Sequence, residues 1–322
     1  MRQLPNFIIV GAGKSGTTAL YEYLNEHPDV YMSPVKETNF FALEGQELVN
    51  PEDDPEQLKH YPWSVTNFED YQKLFDRVTT EKAIGEVSPM YLYSPIAAEK
   101  IREQLPDTKI IAILREPVDR LYSRYMHLAR ENREPTPNFE DALERNNIWW
   151  KRDDLVQEGF YYTHLSKYYQ LFPENQIRVF LYEELRQDPL RVIQNIYDFI
   201  GVDGWFEPDM SVSYNVSGRI QNKTVDKFIG QNSIVKKAIK TVSPKLAESV
   251  TQNQNLKKWV NKLRKKNLEK APLSKELKAK MFDSIYREEI EKLQDLLERD
   301  LSKWLNSEKP ATRQSQYVTT HH

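Results

Sequence analysis

The amino-acid sequence predicts an α/β fold: a three-layer sandwich with a central, mainly parallel sheet, helices on both faces and a helical C-terminal region. Two observations carry the prediction. Short, wholly apolar runs recur through the first 180 residues, as expected of strands buried on both faces. Stretches with apolar residues at helical spacing separate them, which makes successive βαβ units.

The elements follow in order. Phe7-Ile8-Ile9-Val10 stops at Gly11 and reads as a central strand. Thr17 to Glu26 puts Leu20, Tyr23 and Leu24 on one side of a helix. Val30–Met32 and Ala83–Val87 are the next strands. Lys109–Leu114 is the strongest after the first, and Ile177–Tyr182 is another. Helices are expected at about 68–76, 95–105, 117–132, 160–172 and 188–200. Beyond residue 219 the pattern is almost wholly helical. Residues 236–270 hold eleven Lys or Arg against Glu248 and Glu269, so 227–270 reads as a basic helical insertion. It could contact an anionic membrane, an acidic carrier protein or a polyanionic glycan, or simply be a solvated face. Residues 274–305 read as a charged amphipathic helix ending in Leu301, Trp304 and Leu305. The expected organisation is one domain over 1–306 and a disordered tail over 307–322, whose last residues, His321 and His322, are tag-like.

Composition narrows the class. With 322 residues the chain can bury a large core without staples. It has no cysteine, which excludes disulfides and thiolate metal sites and fits a reducing compartment. Net charge is −3, so no global field points to nucleic acid. No apolar run approaches the ~18 residues needed to span a bilayer. The expected setting is cytoplasmic, with membrane association open through the basic insertion.

Two segments carry chemistry. The first strand runs into Gly11-Ala12-Gly13-Lys14-Ser15-Gly16-Thr17-Thr18 and then a helix. Glycines let a backbone approach an anion closely, and a helix start offers N–H groups and a positive dipole end. In the nucleotide-triphosphatase version of such a loop, position 17 would be lysine. Thr17 stands there, and the lysine has moved inside the loop to position 14. The alternative is a glycine-rich turn with no ligand. The second segment is the strand Lys109–Leu114 running into Arg115-Glu116-Pro117, with Ser123 two turns into the following helix. Arg115 falls at a strand's C-terminal end, where open α/β sheets bind ligands, and arginine suits bidentate phosphate binding. The alternative is an ion pair of Arg115 with Glu86 or Glu116.

Together these segments resemble the 3′-phosphoadenosine-5′-phosphosulfate (PAPS)-dependent sulfotransferase family, in an ordered match over about residues 5–305. Lys14-Ser15-Gly16-Thr17-Thr18 looks like its 5′-phosphosulfate loop, and Arg115 to Tyr125 like its 3′-phosphate motif. Gly159-Phe160-Tyr161 resembles a third family segment, and Ser217-Gly218-Arg219 the glycine–basic loop that closes over the nucleotide. Lys36-Glu37-Thr38-Asn39-Phe40-Phe41 is similar to a stretch of the heparan-type and bacterial branch that supplies a catalytic glutamate. Asn39 departs from that branch's histidine, and Val87 from the lysine expected after Glu86.

The resemblance implies a P-loop-like sandwich and a chain that moves a sulfuryl group from PAPS to a hydroxyl, less readily an amine, of a carbohydrate, lipid or natural-product acceptor. Lys14 would stabilise the leaving phosphate and Glu37 would act as general base. Gly13, Ser15, Gly16, Thr17 and Thr18 would hold the 5′-phosphate. Arg115, Ser123 and Arg219 would hold the 3′-phosphate, Ser217 and Gly218 would bind the nucleotide as part of the closing loop, and Phe160 or Tyr161 would lie against the adenine. The product would be 3′,5′-ADP, and no metal is required. The alternative for Glu37 is a surface ion pair with Lys36. His27 is expected to cap a helix, and His127 and His164 to be structural, while His60 could touch substrate. Competing functions are a nucleotide-dependent small-molecule kinase and a non-catalytic nucleotide- or glycan-binding module.

Overall fold

Alternation along each strand decides which layer a residue faces, and the apolar runs supply hydrophobic residues to both. The computed structural model describes residues 3–48, 63–131, 133–211 and 273–305, with the backbone of 219–220 and 268–269. Five strands, β1 (Phe7–Gly11), β2 (Val30–Met32), β3 (Ala83–Val87), β4 (Lys109–Leu114) and β5 (Ile177–Leu181), form one sheet in the order β2-β3-β1-β4-β5. All four pairings are parallel. Ile8, Val10, Ile110 and Ala112 enter one core layer, and Phe7, Ile9, Ile111 and Ile113 the other. This two-sided burial is why the strands read as continuous hydrophobic runs.

The helices divide accordingly. Against the Phe7/Ile9 face pack α1 (Thr17–Leu24), through Leu20 and Leu24, and α10 (Pro189–Ile200), through Ile193, Ile196 and Tyr197. The other face takes the short α2 (Phe40–Leu43) and α4 (Met90–Tyr93), with α3 (Phe68–Lys73), α5 (Ala97–Gln104) and α6 (Pro117–Arg130). It also takes α7 (Ile148–Lys151) and α8 (Tyr161–Leu171), while α9 (Tyr182–Gln187) leads into α10. Late in the chain come two-residue antiparallel strands, β6 (Arg219–Ile220) and β7 (Leu268–Glu269). They are followed by α11 (Lys275–Met281), a π-helical turn (Phe282–Tyr286), α12 (Arg287–Leu297) and α13 (Ser302–Leu305).

The expected sandwich, with its central parallel sheet and helical C-terminal region, is present. The single helix expected over 274–305 is not. It ends at Leu297, where Glu298 turns left-handed (φ 47°), and Arg299 N–H bonds back to the Gln294 carbonyl. The turn lets Leu301 and Trp304 fold back into the core, with Trp304 beside Tyr161. The basic insertion (apart from the β7 backbone), His60 and the tail lie outside the described residues.

The topology positions the site. From β1 the chain travels outward to β2 and β3 on one side and crosses to β4 and β5 on the other. The carboxyl ends of the neighbours β1 and β4, paired as Gly11 with Ala112, therefore lie side by side at a topological switch point.

Candidate active site

At the end of β1 the loop is held by its own backbone. Ala12 N–H bonds to the Ile113 carbonyl (2.8 Å) and Ser15 N–H to the Ala12 carbonyl (3.3 Å). Gly13 N–H goes to Glu158 Oε1 (2.6 Å). Lys14 (φ 67°) and Gly16 (φ 101°) are left-handed, a conformation that turns successive amides toward one concave side. Among the described residues no protein acceptor meets the N–H groups of Lys14, Gly16, Thr17 and Thr18, and Ser15 Oγ is buried without a partner. The loop thus keeps unspent donors at the start of α1, where an anion binds best.

The second segment is built as expected and closes on the first. Glu116 caps α6, accepting from Val118 N–H (3.2 Å) and Asp119 N–H (2.7 Å), with Pro117 in the first turn. Buried Glu116 also pairs with Lys278 (3.3 Å). Burial raises its carboxyl to about 7, opposed by that lysine. Arg115 pairs with neither Glu116 nor Glu86. Its guanidinium lies over the Tyr182 ring (4.9 Å) and donates to the Lys14 carbonyl (3.3 Å). Ser123 is buried on α6. Tyr161, fully buried, donates its hydroxyl to the Arg115 carbonyl (2.8 Å), so it reaches the site through Arg115 and presents no exposed ring face.

Several cations lie near Lys14, and one of them, Arg124, is paired with the buried Asp154. The Lys14 amine falls from its ordinary 10.5 to about 7, chiefly by burial and then through Arg124, Arg130 and Arg115, with Glu37 opposing. Glu37 is therefore within electrostatic reach of Lys14. It forms a 2.5 Å ion pair with Lys36 and is partly exposed. The pairing raised as an alternative from sequence exists, alongside the link to Lys14.

The Glu37 backbone is also left-handed (φ 64°), as is Asn39 (φ 54°), and Glu37 N–H bonds to the Val87 carbonyl (2.8 Å). The next residues rest on a buried acid. Glu86 accepts from Thr38 Oγ1 (2.5 Å), Tyr71 (2.6 Å), Ser88 (3.0 Å) and Tyr91 (3.1 Å). Ser88 Oγ and the Tyr91 hydroxyl in turn accept the N–H groups of Asn39 (3.2 Å) and Phe41 (3.3 Å). Burial raises the Glu86 carboxyl's pKa, and the hydroxyl bonds oppose this.

The two departures from the heparan-type pattern have structural places. Asn39 is buried and donates to Ser64 Oγ (2.9 Å), and Val87 is buried in the core layer of Phe7 and Ile9.

Lys14, Glu37, Arg115 and the loop residues 13–18 are thus brought together. Ser217 and Gly218 lie outside the described residues, and only the backbone of Arg219 is described. Sequence reading missed Glu86, Glu158, Arg124 and Arg130. A helical signal existed for Arg130, seven residues after Ser123 and so on the same face of α6. His27 accepts from Asp29 N–H (3.0 Å) beside the Tyr197 and Phe206 rings, and His164 is held against the Gln157 carbonyl (2.8 Å).

A family description, "Sulfotransferase domain", matches residues 4–294. The chain belongs to that family. Over 204 residues it is 31% identical to mouse heparan sulfate glucosamine 3-O-sulfotransferase 3B1, covering 62% of this chain and 47% of that protein. It is 28% identical over 209 residues to mouse bifunctional heparan sulfate N-deacetylase/N-sulfotransferase 4, covering 62% and 22%. The chain spans about half or less of the length of these curated relatives. Among solved structures, a sulfotransferase from Alicyclobacillus acidocaldarius superposes with a TM-score of 0.66 at 28% identity, over 94% of this chain and 99% of that one. The sulfotransferase expectation therefore stands. Among the described residues no helix is long and apolar enough to cross a membrane, and no cluster of three or more acids or histidines is arranged to hold a metal.

Proposed function

We propose that this chain transfers a sulfuryl group from PAPS to a hydroxyl of a carbohydrate, lipid or natural-product acceptor. One observation carries the reading: the Arg115 guanidinium rests on the Lys14 carbonyl (3.3 Å), so the two phosphate motifs form one cationic surface. The residues fit a nucleotide bearing phosphates at both ends. Unspent amides and the buried Ser15 hydroxyl would take one end, and Arg115 and Ser123 the other. The depressed Lys14 amine has cations as neighbours whose repulsion an anionic ligand would relieve.

PAPS, when bound, supplies an activated sulfuryl group on a phosphate leaving group. The chain's own residues do the rest. The amides of Lys14, Gly16, Thr17 and Thr18 bind the 5′-phosphate, and the Lys14 ammonium offsets charge there. Arg115 and Ser123 hold the 3′-phosphate, which selects PAPS over ATP. Glu37 receives the acceptor's proton on its carboxylate, help typically worth about 10²–10⁴-fold. The carbohydrate option draws on the heparan sulfate relatives.

Thermal shifts with 3′,5′-ADP, ATP and ATP–Mg²⁺ test the reading. The largest stabilisation is expected from 3′,5′-ADP without metal. A preference for ATP–Mg²⁺ refutes it in favour of a kinase. Radiolabelled PAPS offered to glycan, lipid and carrier-bound hydroxyls then assigns the acceptor.

A further inference from the structure

The segment Glu158–Tyr161 touches both phosphate motifs at once. Glu158 is buried, and both of its carboxylate oxygens are engaged. Oε1 takes the Gly13 N–H (2.6 Å) and Oε2 takes Arg120 Nη1 (2.8 Å). Arg120 is itself fully buried in α6, the helix that carries Ser123. Three residues after Glu158, the Tyr161 hydroxyl holds the Arg115 carbonyl. A buried carboxylate is costly unless paired and hydrogen-bonded, and this one is both. The fit to the loop is close, since a Cβ at position 13 would lie 2.8 Å from Glu158 Oε1. Any larger residue there would push the Glu158 carboxylate from its present place.

Resting on the function proposed above, we propose that Glu158 is a positioning residue for the 5′-phosphate. It fixes the Gly13 peptide, and through Arg120 it fastens the loop to α6. The preceding amide, Ala12 N–H, is already held by Ile113. With two successive peptides immobilised, the following left-handed residues, Lys14 and Gly16, present their N–H groups in a set direction. Glu158 does not touch the ligand. Its influence falls on the loop and therefore on the 5′ end of the nucleotide, while the 3′ end is set by Arg115 and Ser123.

The test compares two ligands by titration calorimetry: 3′,5′-ADP and 3′-AMP, which lacks the 5′-phosphate. The variant Arg120→Met/Glu158→Met replaces the buried pair by apolar chains of similar length, a change that folds are known to tolerate. Its preference for 3′,5′-ADP over 3′-AMP should fall about tenfold, the size of one charge-assisted hydrogen bond, with 3′-AMP affinity within about twofold of wild type. A merely structural role would weaken both ligands alike. A folded variant that keeps the wild-type ratio, or loses both affinities together, overturns the proposal.

If the variant does not fold, amide exchange in the ligand-free wild-type chain decides. Gly13 N–H should exchange far more slowly than Gly16 N–H, and equal rates overturn the proposal. Failure of the wild-type chain to bind 3′,5′-ADP would instead remove the proposed function itself.

Discussion

Binding of 3′,5′-ADP should draw a proton from solution onto Lys14. Burial and the neighbouring Arg124, Arg130 and Arg115 hold this amine at about 7 in the ligand-free chain, against the pull of Glu37. At pH 8 such an amine is only about one-tenth protonated. A phosphate arriving beside it favours the charged form and restores the proton, so uptake should be about 0.9 proton per site. At pH 6 the lysine is already about nine-tenths charged, and its share drops to about 0.1. The ligand's phosphates, with second pKa near 6, are fully ionised at pH 8 and contribute little there. Above pH 7, affinity should fall with pH, approaching tenfold per unit until the bound-state pKa is reached.

Calorimetry in two buffers of different ionisation enthalpy reads the proton count directly. Lys14→Met should abolish the uptake. Uptake near zero at pH 8, or unchanged uptake in Lys14→Met, refutes the assignment. The sign for folding follows from the same shift. Between pH 7 and 10.5 the folded chain holds fewer protons at this site than the unfolded chain, so the site's contribution to stability rises with pH across that window.

Three further outcomes are expected. Glu37→Gln should abolish turnover, by at least about a hundredfold, while 3′,5′-ADP affinity is kept; surviving turnover would mean that another group takes the proton. Arg115→Ala should lose about ten- to hundredfold of the discrimination between 3′,5′-ADP and 5′-AMP, and calorimetry showing equal discrimination in both proteins would remove its 3′-phosphate role. Thr38→Val takes a hydroxyl from the Glu86 carboxylate and should cost about 1–3 kcal/mol in denaturant unfolding, whereas Thr38→Ser, which keeps the hydroxyl, should cost much less; a Thr38→Val cost near zero would show that the hydroxyl bond to Glu86 does not matter.

The sheet was legible because its physics is local. A strand buried on both faces is mostly apolar along its length, and 7–10 and 110–114 are read as strands for that reason. Helices α6, α8 and α10 were legible within a residue or two, since each shows one apolar stripe. The glycine-rich loop after β1 and the placement of Arg115 at the end of β4 could be read because glycine, proline and a strand end are local signals. Glu86 and Glu158 could not. Each is an acid inside a mostly apolar neighbourhood, and its partners lie elsewhere in the chain: Thr38 is 48 positions from Glu86, and Gly13 is 145 positions from Glu158. Periodicity carries no information about such pairings. The break at Glu298 was hidden for a related reason, because Leu301 and Trp304 fold back into a core built from distant residues, Tyr161 among them.

Those distant acids explain an otherwise costly feature of the site. Outside glycine, four residues have positive φ among those described, and three of them are Lys14, Glu37 and Asn39. Holding an L-residue there costs on the order of 1–2 kcal/mol, and such a conformation persists only where the surroundings over-determine it. The surroundings here do so from beneath. Glu158 pins the peptide before Lys14. The hydroxyls gathered on Glu86 receive the N–H groups of Asn39 and Phe41, just after Glu37, while Val87 holds the Glu37 N–H itself. Two buried carboxylates thus hold in place the backbone around Lys14 and Glu37, the residues proposed above for the leaving phosphate and the acceptor proton. The strain marks which backbone segments are fixed before any ligand arrives.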